Sequence, residues 1–113
     1  MRFHHIGVVV PNITNSLNEL KQFIQFKETS IPTLIGSQKV NVCFLNMGDG
    51  FLELIEPADP DSPVSTFASK QGGFHHICFE VENIHSAISE MKNNGAKIIV
   101  EPVIGFENRL IAF

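Results

Sequence analysis

Residues 4–21, HHIGVVVPNITNSLNELK, return as residues 75–92, HHICFEVENIHSAISEMK, at a constant offset of 71 and without a gap. Eight of the 18 aligned positions are identical, where chance at ordinary residue frequencies gives about one. Several of the rest are conservative, among them Leu17 with Ile88 and Leu20 with Met91. The chain is therefore a duplication. At 113 residues it has room for one hydrophobic core, so the two copies are expected as halves of a single domain, 1–113.

Each copy opens on a strand pattern. Ile77, Phe79 and Val81 alternate with His76, Cys78 and Glu80, as Ile6, Val8 and Val10 alternate with His5, Gly7 and Val9. Side chains two apart share a face. A helix follows each strand, opening at Asn12 and Asn83, whose short polar side chains suit a cap. Ile13, Leu17, Leu20 and Ile24 make one apolar helical stripe, and Ile84, Ile88 and Met91 make the other. Gly95 after Asn93-Asn94 ends the second helix.

Beyond the first helix the pattern predicts three strands: Glu28 to Leu34, Lys39 to Asn46, and Phe51 to Glu56 after the turn Met47-Gly48-Asp49-Gly50. Residues 58–73 read as a polar connection with a short helix near Val64–Lys70. The second copy then offers strands at Lys97–Val100 and Arg109–Phe113. The predicted fold is α+β: two tandem βαβββ modules, 1–57 and an incomplete 74–113, forming a curved, cup-like mixed sheet with helices on the outer face. The offset puts the mate of Glu53 near position 124, past Phe113, so the last strand of the second module is expected to be missing.

Composition excludes some roles. Eight Lys and Arg against twelve Asp and Glu, for a net charge of −4, leave no basic face for nucleic acid. No apolar run approaches the ~20 residues of a membrane span, and the opening MRFHH carries no secretory signal pattern. Cys43 and Cys78 form no Cys-x-x-Cys pair and read as buried free thiols. Together these features predict a cytoplasmic protein.

The repeat also marks candidate chemistry. His5 and His76 are equivalent, and both face away from the helix-covered side, so they should meet on the open side of the sheet. A lone strand histidine is usually structural, but two at matched positions point to a metal, for which neutral imidazole is the commonest ligand. Glu53 shares its strand face with Phe51 and Ile55. A carboxylate among apolar neighbours needs compensation, from a cation or from Arg or Lys. His4 and His75 are expected to point with the apolar face, in packing or outer hydrogen bonds. His85, at a helix start, and Glu56, opposite in orientation to Glu53, are expected in solvent. Lys27, Lys39 and Arg109 could meet a phosphate, although scattered surface cations are usually just solvated.

Five segments carry a family resemblance: His5-Ile6-Gly7-Val8, Gly48-Asp49-Gly50-Phe51-Leu52-Glu53-Leu54, Ser62-Pro63-Val64, Gly73-Phe74-His75-His76-Ile77 and Arg109-Leu110-Ile111-Ala112-Phe113. The chain resembles the vicinal oxygen chelate superfamily of glyoxalases, bleomycin-resistance proteins, extradiol dioxygenases and methylmalonyl-CoA epimerases, and within it the epimerases most. The resemblance implies metal ligands at His5, Glu53 and His76, in agreement with strand parity. It also implies a fourth glutamate ligand on a final strand, which has no counterpart here, and a homodimer. The implied activity is that of a metal-dependent isomerase or lyase, epimerising an acyl-CoA such as methylmalonyl-CoA through an enolate, with Glu53 as ligand first and base second. Zinc, cobalt, nickel, manganese and iron all suit such donors. The alternatives are a binding protein that sequesters a small molecule, or a non-catalytic remnant of the same fold.

Overall fold

The structure, a computed structural model, describes residues 1–113. The elements are β1 (Arg2–Val9), α1 (Ile13–Leu20), β2 (Glu28–Thr29), β3 (Thr33–Ile35), β4 (Val40–Asn46), β5 (Phe51–Pro57), α2 (Ser65–Ser69), β6 (Gly73–Glu80), α3 (Ile84–Asn93), β7 (Val103–Ile104) and β8 (Leu110–Ile111). The main sheet runs β2-β4-β5-β1-β6, with β3 also paired to β4. β1 pairs β5 in parallel and β6 antiparallel, so the two copies of the repeat meet edge to edge at their first strands. The result is the expected α+β fold, a curved, open, mixed sheet with three helices. None of these helices is long and apolar enough to cross a membrane.

Alternation along the strands divides the core in two. Val10, Cys43, Leu45 and Leu54 face α1 and bury Ile13, with Leu17 and Leu20 packed against them. Ile13, Leu45 and Leu54 are almost wholly inaccessible, and each such side chain contributes roughly 1.5–3 kcal/mol relative to an exposed one. On the opposite face Val9, Val42, Phe44 and Ile55 pack with Val64 and Ala68 around α2. This second face carries the odd-numbered residues of β1 and β5, and so His5 and Glu53.

Both helices start as the sequence indicated. Asn12 accepts a hydrogen bond from the Asn15 amide and Asn83 from the Ser86 amide. Glu56 is not solvated as expected. It accepts from the Ile13 amide at 2.8 Å and from Asn41 Nδ2 at 3.3 Å, placing a negative charge on the positive end of α1. The first helix stops at Leu20, so Ile24 lies just beyond it.

Three strand expectations need correction. Glu28 to Leu34 is not one strand: Ser30, Ile31 and Pro32 interrupt it, and proline brings no N–H to a ladder. Lys97–Val100 is not a strand, because its main chain finds only Phe113: Val100 and Phe113 exchange bonds of 2.9 Å, and Ile99 adds one. Arg109–Phe113 contracts to Leu110–Ile111, paired with Val103–Ile104.

Gly72 turns the chain into β6 with φ +70°, and a Cβ there would stand 2.0 Å from the Val9 carbonyl oxygen. Gly36 has open space at the same position. Urea denaturation should show Gly72→Ala losing about 2 kcal/mol or more and Gly36→Ala changing by no more than about 0.5 kcal/mol.

Candidate metal centre

The strand register lines residues up across the sheet. Phe44 pairs Glu53, Glu53 pairs Gly7, and Gly7 pairs His76, so one row reads Phe44–Glu53–Gly7–His76. The next row reads Asn46–Phe51–His5–Cys78. Glu53 and His76 would be held apart by any side chain at position 7. A Cβ on Gly7 would lie 2.3 Å from His76 Cε1 and 2.6 Å from its Nδ1. Glycine leaves that space to the imidazole.

His5, Glu53 and His76 converge there. Their ligating atoms all lie within 4.8 Å of one another. His5 Nε2 is 3.0 Å from His76 Nε2, and Glu53 Oε1 is 3.7 Å from the first and 3.6 Å from the second. The two carboxylate distances exceed a hydrogen bond. Glu53 and His5 are buried, at 8% and 7% exposure.

His4 and His75 do not point with the apolar face as alternation predicts. The β1–β6 register slips between Phe3 and His5 and again between Gly7 and Val8, where β6 passes from His76 to Phe74. His4 and His75 are thus the extra residues of two bulges at repeat-equivalent positions, and a bulge re-aims its side chain. His4 Nδ1 lies 2.7 Å from His5 Nδ1, and His75 Nδ1 lies 2.8 Å from His76 Nδ1. The paired histidines in both repeats were the available signal, but alternation alone assigns them to the wrong side. His85 is exposed, as expected.

The arrangement fits a divalent cation. When His4 and His75 accept at Nδ1, His5 and His76 carry their protons on Nδ1 and present bare Nε2 lone pairs toward Glu53. Outer partners that fix the tautomer in this way are the usual support of a metal-binding imidazole. Two imidazoles and a carboxylate suit zinc and its first-row neighbours, with a coordination position left open. A cavity of about 330 Å³ adjoins the trio and is lined in part by His4, Ser30, Phe44, Phe51, Phe106 and Arg109. None of the trio lines it directly. His4 and Phe44, whose ring centroids are 5.0 and 5.2 Å from that of His5, form the boundary. Arg109, which pairs with Glu80 as Arg2 does, stands at the rim.

Burial governs the protons of the cation-free site. Desolvation lowers His5 to about 3, helped by His76 and His4, and lowers His76 to about 4, helped by His75. Burial raises Glu53 to about 7. As pH falls from 6.5 toward 4, the unfolded chain takes up two imidazole protons that the folded chain refuses, which destabilises the fold. Between about 7 and 4.5 the folded chain takes up the Glu53 proton first, which offsets one of the two. Net stability should therefore fall on acidification, by about 1 kcal/mol per pH unit near pH 5. Denaturation curves recorded in a chelator should show this slope, flattened in His5→Gln. Gly7→Ala should cost about 1–3 kcal/mol through the displaced His76 ring, measurable in the same curves.

A family profile described as the glyoxalase/bleomycin resistance protein/dioxygenase superfamily matches residues 4–113. The mitochondrial methylmalonyl-CoA epimerase of Bos taurus is 32% identical over 115 residues, covering 99% of this chain and 65% of the relative. An ethylmalonyl-CoA/methylmalonyl-CoA epimerase of Cereibacter sphaeroides is 30% identical over 116 residues, covering 99% of this chain and 86% of its own. This chain thus spans about two thirds of the bovine relative's length. Among solved structures, a hypothetical protein from Bacillus halodurans superposes with a TM-score of 0.90 at 33% identity, covering 99% of this chain and 82% of that one.

Proposed function

Because the chain belongs to the glyoxalase/bleomycin resistance protein/dioxygenase superfamily, we propose that it is a metal-dependent isomerase or lyase that epimerises a small acyl-CoA. Methylmalonyl-CoA is the first candidate, by likeness to the epimerases above. The observation that carries this reading is the convergence of His5, Glu53 and His76 on one point of the cup.

In this reading the three residues hold a divalent cation: zinc, cobalt, nickel, manganese or iron. Such a cation would supply Lewis acidity to a thioester carbonyl oxygen and stabilise the enolate charge that develops there. The chain does the rest. His4 and His75 orient the ligand imidazoles through their Nδ1 contacts. Phe44, Phe51 and Phe106 form an apolar wall that keeps water from the carbanion. Arg109 at the rim is suited to an anionic group of the substrate. Glu53 acts as a ligand first, and its carboxylate is the group able to hold the migrating proton.

A second reading has its own support. The trio contains a single carboxylate, so ligand and base fall on one group, and a site that binds without turnover is the alternative. The reduced thiols Cys43 and Cys78 accord with a cytoplasmic setting. Homodimer formation belongs to the same proposal, because β6 ends the sheet and Ile77 and Phe79 on it are half exposed.

The deciding measurement is deuterium incorporation at the α-carbon of methylmalonyl-CoA by cobalt-loaded protein in heavy water. Exchange should be metal-dependent, and Glu53→Gln should slow it about 10²–10⁴-fold. Cobalt-loaded protein that binds the thioester but leaves its α-hydrogen in place is the binding module instead.

A further inference from the structure

Cys78 breaks the repeat. Its mate in the first copy is Gly7, whose absent side chain makes room for the His76 ring. His76 is itself the mate of His5, so the internal symmetry puts the Cys78 side chain against the His5 ring. The register agrees: Cys78 is the direct partner of His5 across β1 and β6. The cup is therefore asymmetric, with a void beside one imidazole and a thiol beside the other.

The bulge adds a third donor. Ligating atoms of His4, His5 and Cys78 all lie within 4.8 Å of one another, a second group alongside His5, Glu53 and His76. His5 belongs to both. Its Nε2 points to His76 and its Nδ1 to His4, so its two nitrogens face different clusters. The Cys78 thiol has no strong partner of its own, only a long 3.9 Å contact to the Phe79 carbonyl, and it is not fully buried.

We propose that His4, His5 and Cys78 form a second cation position, selective for soft thiophilic ions of the cadmium type, that competes with the His5–Glu53–His76 trio for His5. The selectivity follows from the donors. Two imidazoles and a thiolate favour soft ions, whereas two imidazoles and a carboxylate suit harder ones. Competition follows from the ring, because a neutral imidazole has one lone pair and cannot serve both positions. Binding releases the thiol proton to solvent as the metal–sulfur bond forms. Tetrahedral metal–nitrogen lengths of about 2.0–2.1 Å require the 2.7 Å contact between His4 and His5 to open by about 0.6 Å. A thiophilic ion seated here takes an imidazole from the trio, so it would act as an inhibitor of any chemistry performed there.

Titration of the full chain with Cd²⁺ alone tests this. The wild type should take up one ion with the ultraviolet sulfur-to-cadmium charge-transfer absorption. Cys78→Ser should abolish that absorption and weaken Cd²⁺ at least as much as losing an outer-shell partner, roughly 10–100-fold. His4→Gln should weaken it as well, while Cys43→Ser, at a fully inaccessible position, should leave it intact. Cd²⁺ should also slow alkylation of Cys78 in the folded wild type, a readout that stands even if the serine variant fails to fold. Cd²⁺ bound without charge-transfer absorption, or absorption surviving in Cys78→Ser, overturns the proposal. Glu53→Gln separates it from the catalytic reading: the cadmium absorption should persist there while cobalt binding at the trio weakens.

Discussion

The site depends on the pairing of β1 with its two neighbours. That strand lies between β5 and β6, parallel to one and antiparallel to the other, and the ladder puts Gly7 between Glu53 and His76. A strand spacing of about 4.8 Å on each side holds the two donors roughly 10 Å apart at the backbone. Their side chains can meet only over a residue that takes no space. The hydrogen-bond register sets the distance, and the missing side chain lets the imidazole lean across it. A one-residue slip of β6 would turn His76 to the helix side and dissolve the trio.

The bulges are the second necessity. Strict alternation would send His4 and His75 to the face of the sheet opposite His5 and His76. One extra residue in each strand brings each pair of neighbours onto the same side, where the outer imidazole meets the Nδ1 of the inner one. Each inner ring is thus constrained on one nitrogen and free on the other. The two bulges occupy equivalent positions in the repeat, which makes them part of the duplicated unit rather than a local irregularity.

A buried carboxylate and a buried imidazole beside a half-buried one on the same face cost stability, and the surrounding packing has to offset it. Val9, Val42, Phe44 and Ile55 continue the face on which Glu53 stands, while the fully buried Ile13, Leu45 and Leu54 anchor the reverse side. The first copy of the repeat carries nearly all of this core. Of the large hydrophobic side chains in the second copy only Ile88 of α3 is buried, and Ile77 and Phe79 of β6 are half exposed. The better-packed half thus supports the joint strand on which both halves of the site depend.

Much of this could be read from the amino acids in order. The duplication, the caps at Asn12 and Asn83, the alternation through β4 and β5, and the shared face of His5, Glu53 and His76 are all local or periodic properties, and the period alone places a side chain on a face. The bulged histidines, the docking of Glu56 on the Ile13 amide and the approach of Cys78 to His5 could not be read that way. Each depends on a tertiary neighbour between 43 and 73 residues away in the chain, and sequence order does not encode it. The chain alone therefore placed His5, Glu53 and His76 on the cup face, while His4 and His75 came to that side only through the bulges. Only the assembled sheet decided how close they come, because that distance is set by inter-strand hydrogen bonds and by the space at Gly7.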